Sequence, residues 1–459
     1  MPIILPQFIL KSNSKKIMWQ LFLWSIILGW CFFSHSDHLF NADEGVILDG
    51  AWNLFNGRQL YSDFLEIITP GSFYLLLFIW KIFGVTFWSA KIVSVLLLFF
   101  SAVGIYFIAQ KITKNNLNFL APVFFCLVNS RWAIINHNFY SLPFAIWAIY
   151  FLLLGLDNNK IKNFIFSGLL SGVTILFLQT RGIAVGAAIF LFLLYFNKLK
   201  MALIYFILTI IPLFVLLLWP IQIIIDDLVL FPFNNYGAAN KVPLTFLLII
   251  IIIFSLIIYF FHKEKNSKLS LLFTTQIFLL LTTISRPDYY HLIIALAPTM
   301  ALLGIIIDRI KNKNKSIYYK FTNYCLIAMI TSLLIAPALD SFFFQLKPFY
   351  SASQEIFIFI EKNCPGKYIY AGPFWPSIYF ESRKLNATPY PWLITSFNTP
   401  EQFLNAQKNF KDNNPSCAIL IYPKSLENFK HNPNNLVENY IRNNYHLIYF
   451  ETNIYIYKQ

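Results

Sequence analysis

The stretch DHLFNADEGVILDGAWNLFNGRQLYSDFLE, residues 37–66, follows the first apolar run of the chain and contains a single basic residue, Arg58. It also contains six carboxylates, at Asp37, Asp43, Glu44, Asp49, Asp63 and Glu66. The other acids before residue 340 are six in number: Asp157, Asp226, Asp227, Glu264, Asp288 and Asp308. Because carboxylates are costly to gather beside a membrane, this clustering indicates function rather than solubility.

The composition is that of a polytopic helical membrane protein. Of the 459 residues 58% are hydrophobic and only 12% charged, with a mean hydropathy of +0.60, whereas about a quarter of the residues of a soluble domain are charged. Long apolar runs predict about eleven membrane-spanning helices. They lie near residues 17–36, 88–110, 117–135, 139–156, 163–180, 182–197, 201–222, 242–261, 269–285, 291–307 and 319–338.

The basic residues predict the orientation of the chain in the membrane. Lysine and arginine concentrate in alternate connections, such as residues 11–16, 198–200 and 309–320, and are sparse in the connections between them. Since cytoplasmic loops are enriched in Lys and Arg, we expect a cytoplasmic N-terminus. This pattern also explains the net charge of +14, so no nucleic-acid partner is predicted.

The chain divides into a multi-spanning domain, residues 1–339, and a smaller extracytoplasmic domain, residues 340–459. Within the first, residues 37–87 form a large outer loop. Apolar residues recur there at helical spacing from Asp43 to the Asn56-Gly57 stop, which predicts an amphipathic helix lying on the membrane surface. The apolar run 70–84 is too short to span and predicts a second interfacial or re-entrant helix.

After residue 340 the composition becomes polar and predicts a small α/β domain. Helical patterns cover residues 351–362, 399–411 and 434–443, the second opening with the capping box Thr399-x-x-Gln402. Strand patterns cover residues 367–372, 417–422 and 446–457. Cys364 and Cys417 both lie here, and a disulfide between them is compatible with an oxidising compartment.

The adjacent acids Asp43 and Glu44 are the candidate catalytic residues. Asp43 could simply cap a helix. A carboxylate at the boundary of water and lipid can instead accept a proton from a hydroxyl group. Two neighbouring carboxylates could also share a divalent cation such as Mg²⁺ or Mn²⁺, and no other cofactor is predicted.

Polar residues at the outer ends of other spans are candidates for substrate contacts. Arg181, in the turn Gln179-Thr180-Arg181-Gly182, could bind a lipid phosphate through its guanidinium group. Helix capping, an aromatic belt or snorkelling could equally explain such residues. The further candidates are Arg131 and Arg286 for phosphate, and Asp49, His137, Tyr236, Asp288 and His291 for the remaining substrate.

The first outer loop resembles that of multi-spanning glycosyltransferases of the GT-C fold. The resemblance is carried by Ala42-Asp43-Glu44-Gly45, Asp49-Gly50-Ala51-Trp52, Asn56-Gly57, Tyr61-x-Asp63-Phe64 and Thr69-Pro70. It is strongest to bacterial relatives of protein O-mannosyltransferases, the lipid A aminoarabinose transferase and rhizobial lipopolysaccharide glycosyltransferases. The sequence departs from many relatives in having Thr69-Pro70-Gly71 instead of a Pro-Pro pair, and Arg181 instead of lysine.

The resemblance implies a catalytic carboxylate at Asp43, with Glu44 beside it, and a polyprenyl-phosphate sugar donor in the outer leaflet of a bacterial inner or plasma membrane. The sugar would pass, with inversion, to lipopolysaccharide, another polysaccharide, a glycolipid or a protein. The alternative is a transporter that moves a lipid-linked sugar without cleaving it. That alternative predicts charge deep within spans and inverted repeats, whereas the ionisable residues here lie at span ends.

Overall fold

Most of the chain is helical, and a small sheet lies near its C-terminus. The computed structural model describes residues 14–35, 42–113, 116–130, 133–236, 243, 245, 247–248, 251–252, 266–284, 286, 288–304, 338–340, 342–343, 352–451 and 453–459. The helices are α1 Ser14–Ser34, α2 Ala42–Phe55, α3 Gly71–Phe83, α4 Phe87–Ile112, α5 Leu120–Asn129, α6 His137–Asn158, α7 Ile161–Phe177, α8 Gln179–Tyr195, α9 Leu199–Ile210, α10 Ile221–Ile225, α11 Ser267–Thr282, α12 Tyr289–Ala295, α13 Ala352–Asn363, α14 Ser377–Glu381, α15 Pro400–Asn413 and α16 Leu436–Asn444. The strands are β1 Tyr368–Gly372, β2 Leu385–Asn386, β3 Cys417–Ile421, β4 His446–Glu451 and β5 Ile454–Lys458.

Within the described residues, four helical segments are long and apolar enough to cross a membrane. They are Ile17–Ser34, Phe87–Ile112, His137–Asn158 and Leu199–Leu218. Shorter apolar helices pack among them around one hydrophobic core, so the prediction of a multi-pass membrane protein is confirmed. The number of eleven spans stays a prediction, because most of 242–261 and 319–338 lies outside the described residues.

Proline changes the helix type within one predicted span. The span predicted at 201–222 begins as α9 but continues from Ile210 as the 3₁₀-helix Ile211–Leu218. Pro212 has no backbone N–H and cannot complete an α-helical hydrogen bond, so the last turns tighten. After this span the chain forms α10 and then the π-helical turns Asp226–Leu230 and Pro232–Tyr236.

The turn predicted at residues 179–182 is displaced, because these residues form the first turn of α8. The break between α7 and α8 is the single extended residue Leu178, with φ −158° and ψ 106°. Gly182 lets α8 approach α7 closely, since a Cβ atom there would lie 2.3 Å from the backbone nitrogen of Ile175. Arg181 is therefore helical and buried rather than at the tip of a hairpin.

Helix α2 is buried on both faces, which contradicts the predicted helix on the membrane surface. Its apolar residues Val46, Ile47 and Ala51 are buried, but so are Asp49 and Asn53. The cover comes from the distant helix α14, which begins at Ser377.

Two contacts show how closely this cover fits. A Cβ atom on Gly45 would lie 2.4 Å from the backbone nitrogen of Ser377. Trp52 Nε1 donates to the Lys384 carbonyl oxygen at 2.8 Å. The polar face of α2 thus meets protein rather than water.

The C-terminal residues form one five-stranded sheet in the order β2-β1-β3-β5-β4. Strand β1 is parallel to β2 and β3, whereas β5 is antiparallel to β3 and β4. The predicted helices and strands are present in this region, and the capping box of Thr399 and Gln402 is formed. Cys364 and Cys417 form a disulfide that joins the end of α13 to β3. The separation of residues 340–459 as an extracytoplasmic domain stays a prediction.

The contact between α2 and α14 predicts that Gly45→Ala destabilises the protein. The added methyl group meets backbone, which must shift, and overpacking of this kind costs about 1–3 kcal/mol. The midpoint of thermal unfolding of the purified chain should fall. Gly29→Ala on α1 is the matched control, because its methyl group meets no described atom within 4 Å, and an unfolding midpoint equal in both variants would contradict the tight contact.

Candidate active site

The first turn of α2 places the two predicted catalytic acids in different surroundings. The side chain of Asp43 is 25% exposed, whereas Glu44 is buried. Glu44 Oε1 accepts a hydrogen bond from the backbone N–H of Ile135 at 2.9 Å. A buried carboxylate held in this way positions the chain, and Asp43 is the acid that a substrate can reach.

The loop before α12 meets Asp43. Arg286 Nη2 lies 4.0 Å from Asp43 Oδ2, and Arg286 Nε lies 3.4 Å from Asp288 Oδ2. Asp288 caps α12 by accepting from the His291 backbone N–H at 2.9 Å, and it contacts His291 Nδ1 at 2.8 Å. Burial acts to raise the pKa of Asp288, but hydrogen bonds from His291 and the charge of Arg286 outweigh it and lower this pKa. The carboxylate is thus ionised and fixes the loop beside Asp43.

A buried guanidinium group lies in the first turn of α8. Arg181 is 6% exposed. Its Nη1 donates to the Asn138 carbonyl oxygen and to Ser141 Oγ at 2.6 Å, and its Nη2 donates to Asn138 Oδ1 at 3.0 Å. Within the part of the chain that the structure describes, no carboxylate pairs with it. A buried charge without a counter-charge is costly, so this position favours the binding of an anion.

Tyr290 connects these groups. Its side chain is buried, and the charges of Asp43, Arg181, Asp288 and Arg286 all act on its hydroxyl group. These four residues come from α2, α8 and the loop before α12, so the fold gathers residues that are up to 245 positions apart. The sequence alone does not distinguish Tyr290 from its neighbour Tyr289. Two adjacent tyrosines at the end of a span are typical of an aromatic belt.

His137 belongs to the same group of residues. It begins α6, and the charges of His291, Arg181 and Arg286 act on its ring. Its Nε2 lies 3.2 Å from Nδ2 of Asn138, the residue that also binds Arg181. We refer to Asp43, His137, Arg181, Arg286, Asp288, Tyr290 and His291 as the polar cluster.

Four predicted site residues are not part of the polar cluster. Glu44 is buried beside the cluster and accepts the Ile135 N–H. Asp49 follows Asp43 by six residues, which is about 9 Å along α2 and on a different face of the helix. Arg131 and the side chain of Tyr236 lie outside the described residues. The sequence also gives no signal for Asn138 and Ser141 as the ligands of Arg181, because only the tertiary contact between α6 and α8 reveals them.

Asp49 belongs to a second group of carboxylates, with the buried Glu66 and the half-buried Asp227. Both oxygens of Glu66 and Oδ1 of Asp49 are buried and have no hydrogen-bond partner in the described residues. Burial raises the pKa of Asp49 to about 8, although Arg58 and Asn53 oppose the shift. Burial, with the charges of Asp49 and Asp227, raises the pKa of Glu66 well above its ordinary range. Asp49 and Glu66 are therefore mostly protonated near neutral pH.

The predicted divalent cation remains untested. Among the described residues, no group of three or more His, Cys, Asp or Glu side chains is arranged to hold a metal ion. Asp43 and Glu44 point into different surroundings, and Glu44 Oε1 already accepts the Ile135 N–H. A shared ion would need additional ligands from substrate or water.

The fold is shared with known membrane enzymes. A family model described as dolichyl-phosphate-mannose-protein mannosyltransferase matches residues 68–219. No curated protein sequence matches the chain. The solved structure of ArnT from Cupriavidus metallidurans bound to undecaprenyl phosphate aligns with a TM-score of 0.62 at 12% identity, covering 96% of this chain and 97% of that chain.

Two further structures agree with this likeness. The apo state of the same ArnT aligns with a TM-score of 0.59 at 12% identity, covering 96% of this chain and 98% of that chain. The oligosaccharyltransferase of Archaeoglobus fulgidus, in complex with zinc and sulfate, aligns with a TM-score of 0.52 at 10% identity, covering 87% of this chain and 68% of that chain. The GT-C fold predicted from the first outer loop is therefore confirmed.

The raised pKa values of Asp49 and Glu66 predict that the free energy of unfolding falls as the pH rises. An unfolded aspartate releases its proton near pH 3.9, whereas folded Asp49 keeps it to about pH 8. Between these values the folded state binds more protons, so the free energy of unfolding falls by about 1.4 kcal/mol per pH unit for this group. Below this window and above it Asp49 adds no pH dependence.

Asp49→Asn should therefore reduce the loss of stability between pH 5 and pH 8, while Glu66 keeps part of it. The measurement is the unfolding midpoint of the purified chain across this pH range. Asp63→Asn is the control, because Asp63 is an exposed acid of the same loop. An unchanged slope in Asp49→Asn would show that Asp49 is ionised in the folded protein.

Proposed function

We propose that this chain is a membrane glycosyltransferase that moves a sugar from a polyprenyl-phosphate donor to an acceptor outside the cytoplasm. One observation carries the proposal: the partly exposed carboxylate of Asp43 lies 4.0 Å from the guanidinium group of Arg286. A carboxylate beside a cation is what the transfer of a sugar from a phosphate requires, since a proton must be accepted while an anion leaves.

The proposed step exchanges one bond for another at the anomeric carbon of the sugar. The acceptor hydroxyl oxygen bonds to this carbon, the bond from the carbon to the phosphate oxygen breaks, and its electron pair leaves with the polyprenyl phosphate. The hydroxyl proton goes to the Asp43 carboxylate. Attack opposite the phosphate inverts the configuration of the sugar.

Arg181 is the proposed ligand of the leaving phosphate. Its guanidinium group is held by Asn138 and Ser141 and has no carboxylate partner among the described residues. A cation fixed in advance stabilises negative charge without reorganising as the charge develops. Arg286, already 4.0 Å from Asp43, would assist it. The undecaprenyl phosphate bound in the ArnT structure of the same fold supports a prenyl phosphate donor.

The remaining residues of the polar cluster have proposed positioning roles. Asp288 contacts both Arg286 and His291 and so joins the loop to the start of α12. His137 lies beside Asn138, which accepts hydrogen bonds from Arg181. Together they would orient the sugar and the acceptor hydroxyl group. The acceptor is lipopolysaccharide, another polysaccharide, a glycolipid or a protein, and the site faces the side of the membrane opposite a cytoplasmic N-terminus.

The assignment of Asp43 predicts that Asp43→Asn reduces turnover by about a hundredfold to ten-thousandfold, the usual contribution of a general base. The substrate is a radiolabelled prenyl-phosphate sugar, and the measurement is the release of prenyl phosphate by the purified protein. Asp63→Asn makes the same chemical change in the same loop and should keep activity. Wild-type turnover in Asp43→Asn would refute the assignment, and movement of the sugar across liposomes without cleavage would favour transport.

The assignment of Arg181 predicts that Arg181→Gln weakens binding of undecaprenyl phosphate at least tenfold, because the anion loses its counter-charge. Direct binding to the purified protein in nanodiscs measures this without catalysis. Arg383→Gln is the matched control, since Arg383 lies over the rings of Phe380 and Trp52 outside the polar cluster. Equal affinity in both variants would place the phosphate elsewhere.

A further inference from the structure

A cavity of about 440 Å³ opens on the C-terminal sheet, outside the polar cluster. Its volume lies within the range of about 300–1,000 Å³ that is usual for small-molecule sites. The proposed transfer step uses none of its residues. The side chains that define it are Tyr422, Glu427, His431, Arg442, Tyr455 and Tyr457.

Aromatic rings form one wall of this cavity. Tyr455 and Tyr457 are two residues apart on β5 and therefore share one face of the sheet. The ring of Tyr422 lies edge-on to Tyr455, with centroids 5.9 Å apart, and nearly parallel to that of His431 at 6.4 Å. The wall thus offers apolar ring faces with hydroxyl groups at their rims.

A fixed polar network adjoins the aromatic wall and shares Tyr422 and His431 with it. The buried carboxylate of Glu438 accepts hydrogen bonds from the Tyr422 hydroxyl, from His431 Nε2 at 2.8 Å and from Arg442 Nη2 at 3.0 Å. The Arg442 side chain remains 31% exposed. Glu427, which is exposed, adds a second carboxylate to the rim. The cavity therefore presents donors and acceptors in a rigid arrangement.

The chemistry of these walls selects among ligands. A phosphate or other anion is disfavoured, because Glu438 already neutralises Arg442 and Glu427 adds negative charge. A hydrocarbon chain is disfavoured, because it would displace water from the Glu427 carboxylate and the exposed part of Arg442 and would offer these groups no hydrogen bonds in return. A neutral pyranose fits this lining. Its C–H face packs on the aromatic rings, and its hydroxyl groups pair with the charged donors and acceptors.

We propose that this cavity binds a neutral pyranose unit of the acceptor saccharide. Binding of the sugar follows from the cavity alone, whereas its role as acceptor rests on the proposed function. The cavity also borders the hydrophobic cluster that includes part of the active-site helix, because Leu426 in its wall belongs to the same cluster as Ile47 and Trp52 of α2.

The test measures binding of simple sugars to the full-length protein in nanodiscs. The probes are the methyl glycosides of glucose, galactose, mannose and N-acetylglucosamine, observed by saturation-transfer-difference NMR. Inorganic phosphate is the anionic comparison, observed by the broadening of its ³¹P NMR line. At least one glycoside should bind, and Tyr457→Ala should weaken it at least tenfold. Tyr457→Phe keeps the ring and should stay within about threefold of the wild type. Tyr449→Ala is the matched control, because Tyr449 packs on Phe359 at the other face of the sheet.

Three outcomes would overturn the proposal: no glycoside binds the wild type, Tyr457→Ala and Tyr449→Ala bind equally well, or phosphate alone binds. Thermal unfolding of each variant verifies that it is folded. Release of prenyl phosphate is measured on the same preparation. If the protein cleaves the donor but binds no glycoside, the cavity proposal alone is refuted. If a glycoside binds in a way that depends on Tyr457 but the donor is not cleaved, the cavity proposal is supported and the proposed function is contradicted.

Discussion

The hydrogen bond from the Ile135 N–H to Glu44 is the contact on which the polar cluster depends. A buried carboxylate must find a partner, and this one fastens α2 to the segment that leads into α6. Three residues later Asn138 binds the guanidinium group of Arg181. A single line of hydrogen bonds thus sets the acid-bearing helix, α6 and α8 relative to one another. The first turn of α2 and the guanidinium group of Arg181 are therefore each held by hydrogen bonds from one short segment, residues 135–141.

Local patterns were enough to predict much of this arrangement. The apolar runs at 88–110 and 139–156 predict α4 and α6 to within a few residues, because helix length and hydropathy are local properties. The Thr399 capping box and the strand at 417–422 are likewise decided by neighbours in sequence. The density of acids in residues 37–66 identifies the loop that contributes Asp43, since charge beside lipid is rarely incidental.

The parts that could not be predicted depend on residues far apart in the chain. The polar face of α2 is typical of a surface helix, but α14 covers it from more than 300 residues away. The burial of Arg181 likewise depends on Asn138, which no spacing rule connects to it. Pro212 is a smaller case, because its effect is local but its outcome, a 3₁₀-helix rather than a kink, depends on packing.

The disulfide between Cys364 and Cys417 has a consequence for how the protein matures. It closes a loop that contains α14, the helix covering α2. The two other described cysteines, Cys31 and Cys126, remain thiols although their sulfur atoms are 3.6 Å apart in the hydrophobic core. Oxidation therefore cross-links the region that covers α2 and does not cross-link the helices that contain Cys31 and Cys126. In a cell that does not oxidise this chain, the helices would still insert. The loop that carries α14 over α2 would then lack its disulfide.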